Sequence, residues 1–161
     1  MIATRFFFSL LCALAMMILP FPYMWQWFMP DWCLLVFFAW YLVDADRVPI
    51  WLPWILGLVL DGLTGSVIGL HALAYVITWY ILSLFSVRIA LFPMVQKMLV
   101  MLLVASVNLF IMLCAQALFS GAEISWYRLY SVFFTSLCWP GILLLVNKMA
   151  AYAPQKAWGR W

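Results

Sequence analysis

The chain has 161 residues, of which 70% are hydrophobic and only 8% are charged, and its formal net charge is +3. Soluble domains carry about 25% charged residues, so eight basic and five acidic side chains cannot cover this apolar surface in water. The composition excludes a soluble enzyme or a nucleic-acid-binding domain and predicts an all-α integral membrane protein.

Charges and prolines divide the apolar sequence into about six predicted transmembrane helices, which form a single helical domain over residues 1–161. The predicted spans cover residues 6–22, 32–43, 50–68, 70–87, 98–119 and 129–146. The first span is expected to be an uncleaved helix, because no small-x-small cleavage site follows it. The break between the third and fourth spans is the least marked, since no charged loop separates them. A single bent or re-entrant element there would leave five spans.

The basic residues favour the six-span arrangement. With the N-terminus inside, seven of them fall on cytoplasmic segments and only Arg128 falls on an outer segment. The positive-inside rule therefore predicts that both termini are cytoplasmic. Asp31 and Glu123 fall on the outer side. Five spans would place the basic C-terminal tail outside, which argues against that arrangement.

An unusual stretch, GLVLDGLTGSVIGLHAL, covers residues 57–73 and joins the third and fourth spans. Glycine or aspartate recurs there at every fourth position, namely at Gly57, Asp61, Gly65 and Gly69. On one continuous helix these four residues would lie along one face. Small residues at this spacing allow a second helix to approach closely. The face is expected to pack either inside its own bundle or against another chain.

Asp61 is the acid in this stretch, and a carboxylate near mid-membrane costs roughly 2.5–3.5 kcal/mol on insertion scales. We consider three roles for it: a hydrogen-bonded hub between helices, an ion or proton site, and a contact with a partner helix. The alternative is a protonated or water-bridged acid near a helix end. Gly62 also allows a helix break near DGLTG, whose freed backbone groups would need partners.

Few other residues carry chemistry. His71 follows Asp61 by ten positions, which is about 15 Å along a continuous helix, so we expect the two not to form a ligand pair. Asn108 and Gln116 share a face of the fifth span and are expected to hydrogen-bond across helices in packing. The four cysteines lie far apart in apolar runs. No enzymatic activity, metal site or cofactor is expected.

Three blocks of sequence together resemble the MreD family of rod shape-determining proteins of Gram-negative bacteria. They are MPDWCLLVFFAWYLVDADRVP from Met29, GLVLDGLTGSVIGLHALAYVITWYIL from Gly57, and LCWPGILLLVNK near the C-terminus. The resemblance covers nearly the whole chain. Family members often have a basic residue and an asparagine where this chain has Met29 and Asp31.

The resemblance implies a non-enzymatic protein of the cell inner membrane that belongs to the cell-elongation machinery. It implies binding to MreC and work alongside MreB, RodA and a class B penicillin-binding transpeptidase. It also implies a fold similar to the substrate-binding subunit of energy-coupling-factor transporters. Nucleic acid is not an expected partner, whereas membrane lipid is.

The leading hypothesis is therefore a membrane scaffold for lateral peptidoglycan synthesis and rod shape, which binds the transmembrane helix of MreC. The predicted partner-binding residues are Gly57, Asp61, Gly65, Gly69, Asp31 and His71. The alternative is a small-molecule-binding membrane subunit of a vitamin-type transporter, in which Asp61 would line a cavity.

Overall fold

A computed structural model describes residues 2–19, 22, 28–44, 48–119 and 128–151, and every regular element within them is a helix. The six helices are α1 (Ile2–Ile18), α2 (Trp32–Val43), α3 (Trp51–Thr64), α4 (Leu70–Ala90), α5 (Met94–Phe119) and α6 (Arg128–Ala151). Stretches of α5 and α6, Met94–Leu118 and Arg128–Ala150, are long and apolar enough to cross a membrane. The other four helices are also apolar but shorter. The described residues thus form an all-helical bundle of the kind found in membranes.

Helix α2 lies at the centre of the bundle. All nine residues from Cys33 to Tyr41 are buried, so this helix is covered on every side. A helix that is hydrophobic all round is suited to such a position. Trp40, which is fully buried, donates its indole N–H to Ser9 of α1 over 2.8 Å. Phe38 stacks at a tilt on Trp139 of α6, with ring centroids 4.6 Å apart. Helices α1, α6 and α4 therefore surround α2.

The remaining contacts follow the order of the chain. Helix α3 packs on α4, α4 on α5, and α5 on α6. The Arg5 guanidinium donates to the carbonyl oxygen of Met149 over 2.9 Å. The beginning of α1 and the end of α6 consequently lie at one end of the bundle. The beginnings of α2, α4 and α6 lie at the other end.

Side chains that face away from the bundle are largely apolar. Phe8 and Leu11 on α1 and Leu103 on α5 are each about two-thirds exposed, at 66%, 67% and 65%. A bilayer accepts such surfaces, because lipid tails are as apolar as these side chains. The composition and the exposed apolar side chains therefore both indicate that the bilayer surrounds this bundle.

Two boundaries differ from the predicted spans. The third span was expected to reach residue 68, but α3 ends at Thr64 because the backbone of Gly65 adopts a left-handed conformation. The connection between the fourth and fifth spans is shorter than expected, since α4 continues to Ala90 and α5 begins at Met94. Residues 45–47, Glu123 and the basic residues beyond 151 lie outside the described residues.

Candidate functional site

The turn between α3 and α4 is built on two glycines. Gly65 has φ of 65° and Gly69 has φ of 98°, which are left-handed values that favour glycine. The N–H groups of Gly65 and Ser66 both donate to the carbonyl oxygen of Asp61. The Ser66 bond is the 6→1 bond of a Schellman ending, and the Gly65 bond is the 5→1 bond of the simpler αL ending, so the backbone closes on its own last turn. The chain then reverses, and α4 begins at Leu70.

The Asp61 side chain fills the inside of this turn. It is fully buried, and one of its carboxylate oxygens, Oδ2, accepts the Gly69 N–H at 2.8 Å. The other, Oδ1, accepts the backbone N–H of His71 at 3.0 Å, the Ser66 hydroxyl at 2.8 Å and His71 Nδ1 at 2.6 Å. Four hydrogen bonds thus reach one carboxylate from the residues that follow it in the chain.

These bonds compensate two free-energy costs: that of unpaired backbone N–H groups at the beginning of α4 and that of a buried negative charge. The first N–H groups of any helix lack partners within it, and in a membrane each unpaired group is costly because water is absent. Asp61 provides an acceptor for two N–H groups where α4 begins. In return, the positive end of the α4 dipole and the N–H donors stabilise its negative charge. Asp61 is therefore the hub between helices that the sequence offered as one of its roles.

The position of His71 corrects a prediction from the sequence. Ten residues of continuous helix would have separated it from Asp61 by about 15 Å, but His71 Nδ1 lies 2.6 Å from Asp61 Oδ1. The separation is short because α3 ends at Thr64 and the turn brings the chain back. A carboxylate only accepts, so Nδ1 is the nitrogen that carries the ring proton.

Asp61, His71 and Ser66 are residue types that occur together in nucleophilic catalysis, but their geometry is different here. In a catalytic triad the acid and the hydroxyl bond opposite nitrogens of the imidazole ring. Here the Ser66 hydroxyl lies 3.4 Å from Nδ1, the same nitrogen that faces Asp61, and it bonds the carboxylate directly. The imidazole cannot relay a proton from Ser66 in this arrangement. The cluster supports a structural role.

The predicted contact face is divided by the turn, so the expectation of one continuous helical face is wrong. Gly57 and Asp61 lie on α3, whereas Gly65 and Gly69 belong to the turn. Gly57 is buried, and a Cβ added there would overlap the backbone of His71 and Ala72 on α4. The close approach that the glycine spacing indicates is thus made within the chain at Gly57. Partner binding by the exposed turn stays a prediction.

Asp31 occupies a second junction, at the beginning of α2. Its Oδ1 accepts the Leu34 N–H at 2.9 Å, which makes Asp31 the N-cap of α2. The Tyr75 hydroxyl of α4 lies 2.9 and 3.1 Å from its two oxygens. Its own N–H donates to the Thr135 hydroxyl of α6 over 3.0 Å. Burial raises the pKa of the Asp31 carboxyl, although the bonds from Leu34 and Tyr75 oppose that shift. Asp31 therefore joins α2, α4 and α6.

A cavity of about 310 Å³ opens beside Asp31, and we call it the Asp31 cavity. Its polar lining consists of Asp31, His71, Asn108, Arg128, Ser131 and Thr135. Its apolar lining includes Met16 and Met17 of α1, Leu109 and Met112 of α5, and Val132 of α6. The cavity lies at the end of the bundle where α2, α4 and α6 begin. His71 thus takes part in both the Asp61 hub and the cavity.

Sequence reasoning did not single out Tyr75 or Thr135, although both bond Asp31. Each is a polar residue inside an apolar helix, which is a signal that could have marked them. Asn108 was expected to hydrogen-bond across helices, and its Oδ1 lies 3.4 Å from the Thr78 hydroxyl. Arg128 entered the sequence analysis only as an exception to the charge rule. Its place on the cavity wall depends on helix packing.

Comparison with known proteins gives one family. The family model for the rod shape-determining protein MreD matches residues 2–149. The chain is 32% identical over 131 residues to the rod shape-determining protein MreD of Haemophilus influenzae, and the match covers 81% of this chain and 80% of that protein. No solved structure matches the chain.

Proposed function

The chain belongs to the MreD family of rod shape-determining proteins, and on this premise we propose that it is a membrane scaffold of the cell-elongation machinery. Membership gives it a role in rod shape and a place in a membrane. The finer proposal is that it binds the transmembrane helix of MreC and so supports lateral peptidoglycan synthesis. MreB, RodA and a class B penicillin-binding transpeptidase would then act in the same assembly.

The proposed location is the cell inner membrane, with both termini in the cytoplasm. Its support is the distribution of basic residues, of which only Arg128 falls outside by this arrangement. The contact between Arg5 and Met149 adds support, because it brings the beginning of α1 and the end of α6 to one end of the bundle. With this end of the bundle in the cytoplasm, the Asp31 cavity lies at the opposite, outer end.

The proposed role is non-enzymatic. The family is defined by shape determination, and the Asp61, His71 and Ser66 cluster has the geometry of a helix junction. A fold similar to the substrate-binding subunits of energy-coupling-factor transporters stays a prediction. The alternative function, a small-molecule-binding subunit of a vitamin-type transporter, is not favoured by the match to shape-determining proteins.

The surface that best suits a partner helix lies on α3 and the following turn. Gly62 and Gly65 are exposed, and a Cβ built at either position meets no atom within 4 Å beyond its immediate backbone surroundings. Val59 extends this apolar surface by one turn and is 43% exposed. Small exposed residues permit the close backbone approach that drives helix association in lipid. We propose that MreC contacts this surface. Of the six partner-binding residues predicted from the sequence, Gly65 and Gly69 belong to it.

Gly62→Leu tests this proposal, because Gly62 has helical backbone and open space around it. The added side chain should weaken co-purification of the MreC-type partner and make rod-shaped cells round, while the isolated protein stays folded. The matched control is Gly141→Leu in α6, where a Cβ also meets nothing within 4 Å. Full partner recovery and rod shape with Gly62→Leu would refute the contact surface. Recovery of a transport ATPase instead of wall-synthesis proteins would refute the scaffold proposal itself.

A further inference from the structure

The Asp31 cavity contains hydrogen-bond donors for which the scaffold role gives no purpose. Two nitrogen groups of the residues that line it have no partner among the described residues. The guanidinium of Arg128 has no hydrogen bond or ion pair within the described part of the chain. Asn108 uses its carbonyl oxygen toward Thr78, which leaves its amide nitrogen available.

The acceptors on the same wall are mostly engaged. Asp31 accepts from Leu34 and Tyr75, and the Thr135 hydroxyl accepts the Asp31 N–H while it donates to the Ser131 carbonyl oxygen. The cavity therefore has unused donors and few unused acceptors.

His71 adds a third nitrogen group to the lining. Its Nδ1 faces Asp61, so Nε2 is the ring nitrogen that remains for a ligand. Nε2 donates when the ring is charged and accepts when the ring is neutral. The Asp61 hub fixes the orientation of this ring through the 2.6 Å contact. The nitrogen is thus positioned by the α3–α4 turn rather than by its own flexible side chain.

We propose that the Asp31 cavity binds the phosphate group of a membrane lipid. A phosphate monoester presents three strong acceptor oxygens, which suits a wall with several free donors. A guanidinium such as that of Arg128 binds phosphate through two parallel hydrogen bonds.

The rest of the cavity favours a lipid over a small soluble anion. Met17, Leu109 and Met112 form an apolar wall next to the polar one. Met16 and Leu19 line the cavity too, and they are 38% and 51% exposed. An apolar chain attached to the phosphate can follow this wall to the bilayer. Arg128 is the first residue of α6, so this cation lies at the end of the bundle, which is the depth of lipid head groups.

The test measures binding to the purified full-length protein in the neutral detergent dodecyl maltoside, by isothermal titration calorimetry. Three probes separate the two parts of the ligand: dioctanoyl phosphatidic acid has phosphate and chains, dioctanoylglycerol has only the chains, and glycerol 3-phosphate has only the phosphate. We expect phosphatidic acid to bind about tenfold or more tightly than either of the others, since hydrogen bonds to a charged group contribute about 1.5–3 kcal/mol each.

Variants locate the site. Arg128→Gln should weaken phosphatidic acid binding about tenfold, and Arg128→Lys should lie between it and the unchanged protein. Arg88→Gln is the control, because Arg88 is exposed at the opposite end of the bundle. Circular dichroism and gel filtration verify that each variant is folded.

Several results would overturn the proposal. Dioctanoylglycerol that binds as tightly as phosphatidic acid would show an apolar cavity without phosphate recognition. Glycerol 3-phosphate that binds as tightly would show a site for a soluble phosphate compound. Unchanged affinity in folded Arg128→Gln, or equal losses in Arg128→Gln and Arg88→Gln, would show that the lipid binds elsewhere or through net charge alone.

Discussion

Asp61→Asn separates a structural hub from a docking residue. The substitution keeps the size of the side chain, removes its charge and replaces one acceptor oxygen with an amide donor. In the structure the carboxylate accepts four hydrogen bonds, two of them from the backbone N–H groups of Gly69 and His71. An asparagine cannot accept all four, because its nitrogen would face another donor. At least one donor is therefore left unpaired in a buried site.

The expected magnitude follows from what is lost. Side-chain bonds between membrane helices are worth about 0.6 kcal/mol on average, but these bonds have a charged acceptor and serve the first turn of a helix. Loss of a hydrogen bond to a charged group costs about 1.5–3 kcal/mol. We therefore expect Asp61→Asn to lower the free energy of unfolding by about 2 kcal/mol or more.

The measurement is reversible unfolding of the isolated protein in dodecyl maltoside with increasing SDS, followed by circular dichroism. Thr64→Val is the control. Thr64 is exposed at the end of the same helix, and its hydroxyl bonds the Leu60 carbonyl oxygen and the Ser66 hydroxyl, so its substitution should change stability by about 0.5 kcal/mol or less. A loss below about 0.6 kcal/mol for Asp61→Asn, combined with weaker MreC recovery, would refute the hub and make Asp61 a docking residue.

Three further substitutions test the close approach at Gly57, the turn at Gly65 and the second junction at Asp31. Gly57→Ala should destabilise the protein by about 1–3 kcal/mol, since its Cβ would overlap the α4 backbone; Gly62→Ala, made in open space on the same helix, should be neutral or stabilising by up to about 1 kcal/mol. Equal effects in SDS unfolding would contradict the close approach at Gly57. Gly65→Ala should cost about 1–2 kcal/mol because its φ is 65°, and an unchanged unfolding midpoint would argue against this turn. Tyr75→Phe leaves Asp31 without its α4 donor and should cost about 1–3 kcal/mol, with Tyr80→Phe at an exposed position as its control.

The sequence predicts some elements well because the determining signals are local. Helix α2 begins at Trp32 and ends at Val43, and these limits follow from an apolar run between Asp31 and Asp44. The end of α3 is harder to predict, since residues 50–68 are apolar on both sides of the break. What ends the helix is the left-handed backbone of Gly65 together with a carboxylate whose acceptor bonds reach Gly69 and His71. Those bonds exist only after the chain has turned.

The second junction is still less visible in the sequence. Asp31 and Tyr75 are 44 positions apart, and their contact requires α2 and α4 to pack with one particular rotation of each helix. Hydrophobic periodicity does not give that rotation, because α2 is apolar on all faces. Polar residues in apolar helices indicate that a contact exists and do not identify the partner. Arg128 is a comparable case, since the sequence marked it only as an exception to the charge rule, and its place on the cavity wall follows from helix packing.

The two junctions depend on each other through α4. Asp61 holds the first turn of this helix through Gly69 and His71, and Tyr75 follows about one turn later and bonds Asp31. A change that releases the beginning of α4 must therefore also displace the His71 ring from the Asp31 cavity and the Tyr75 hydroxyl from Asp31 itself. Asp61→Asn should accordingly weaken phosphatidic acid binding even though Asp61 does not line the cavity, whereas Gly62→Leu should leave it unchanged. Loss of stability in Asp61→Asn with full lipid affinity would show that the two junctions are independent.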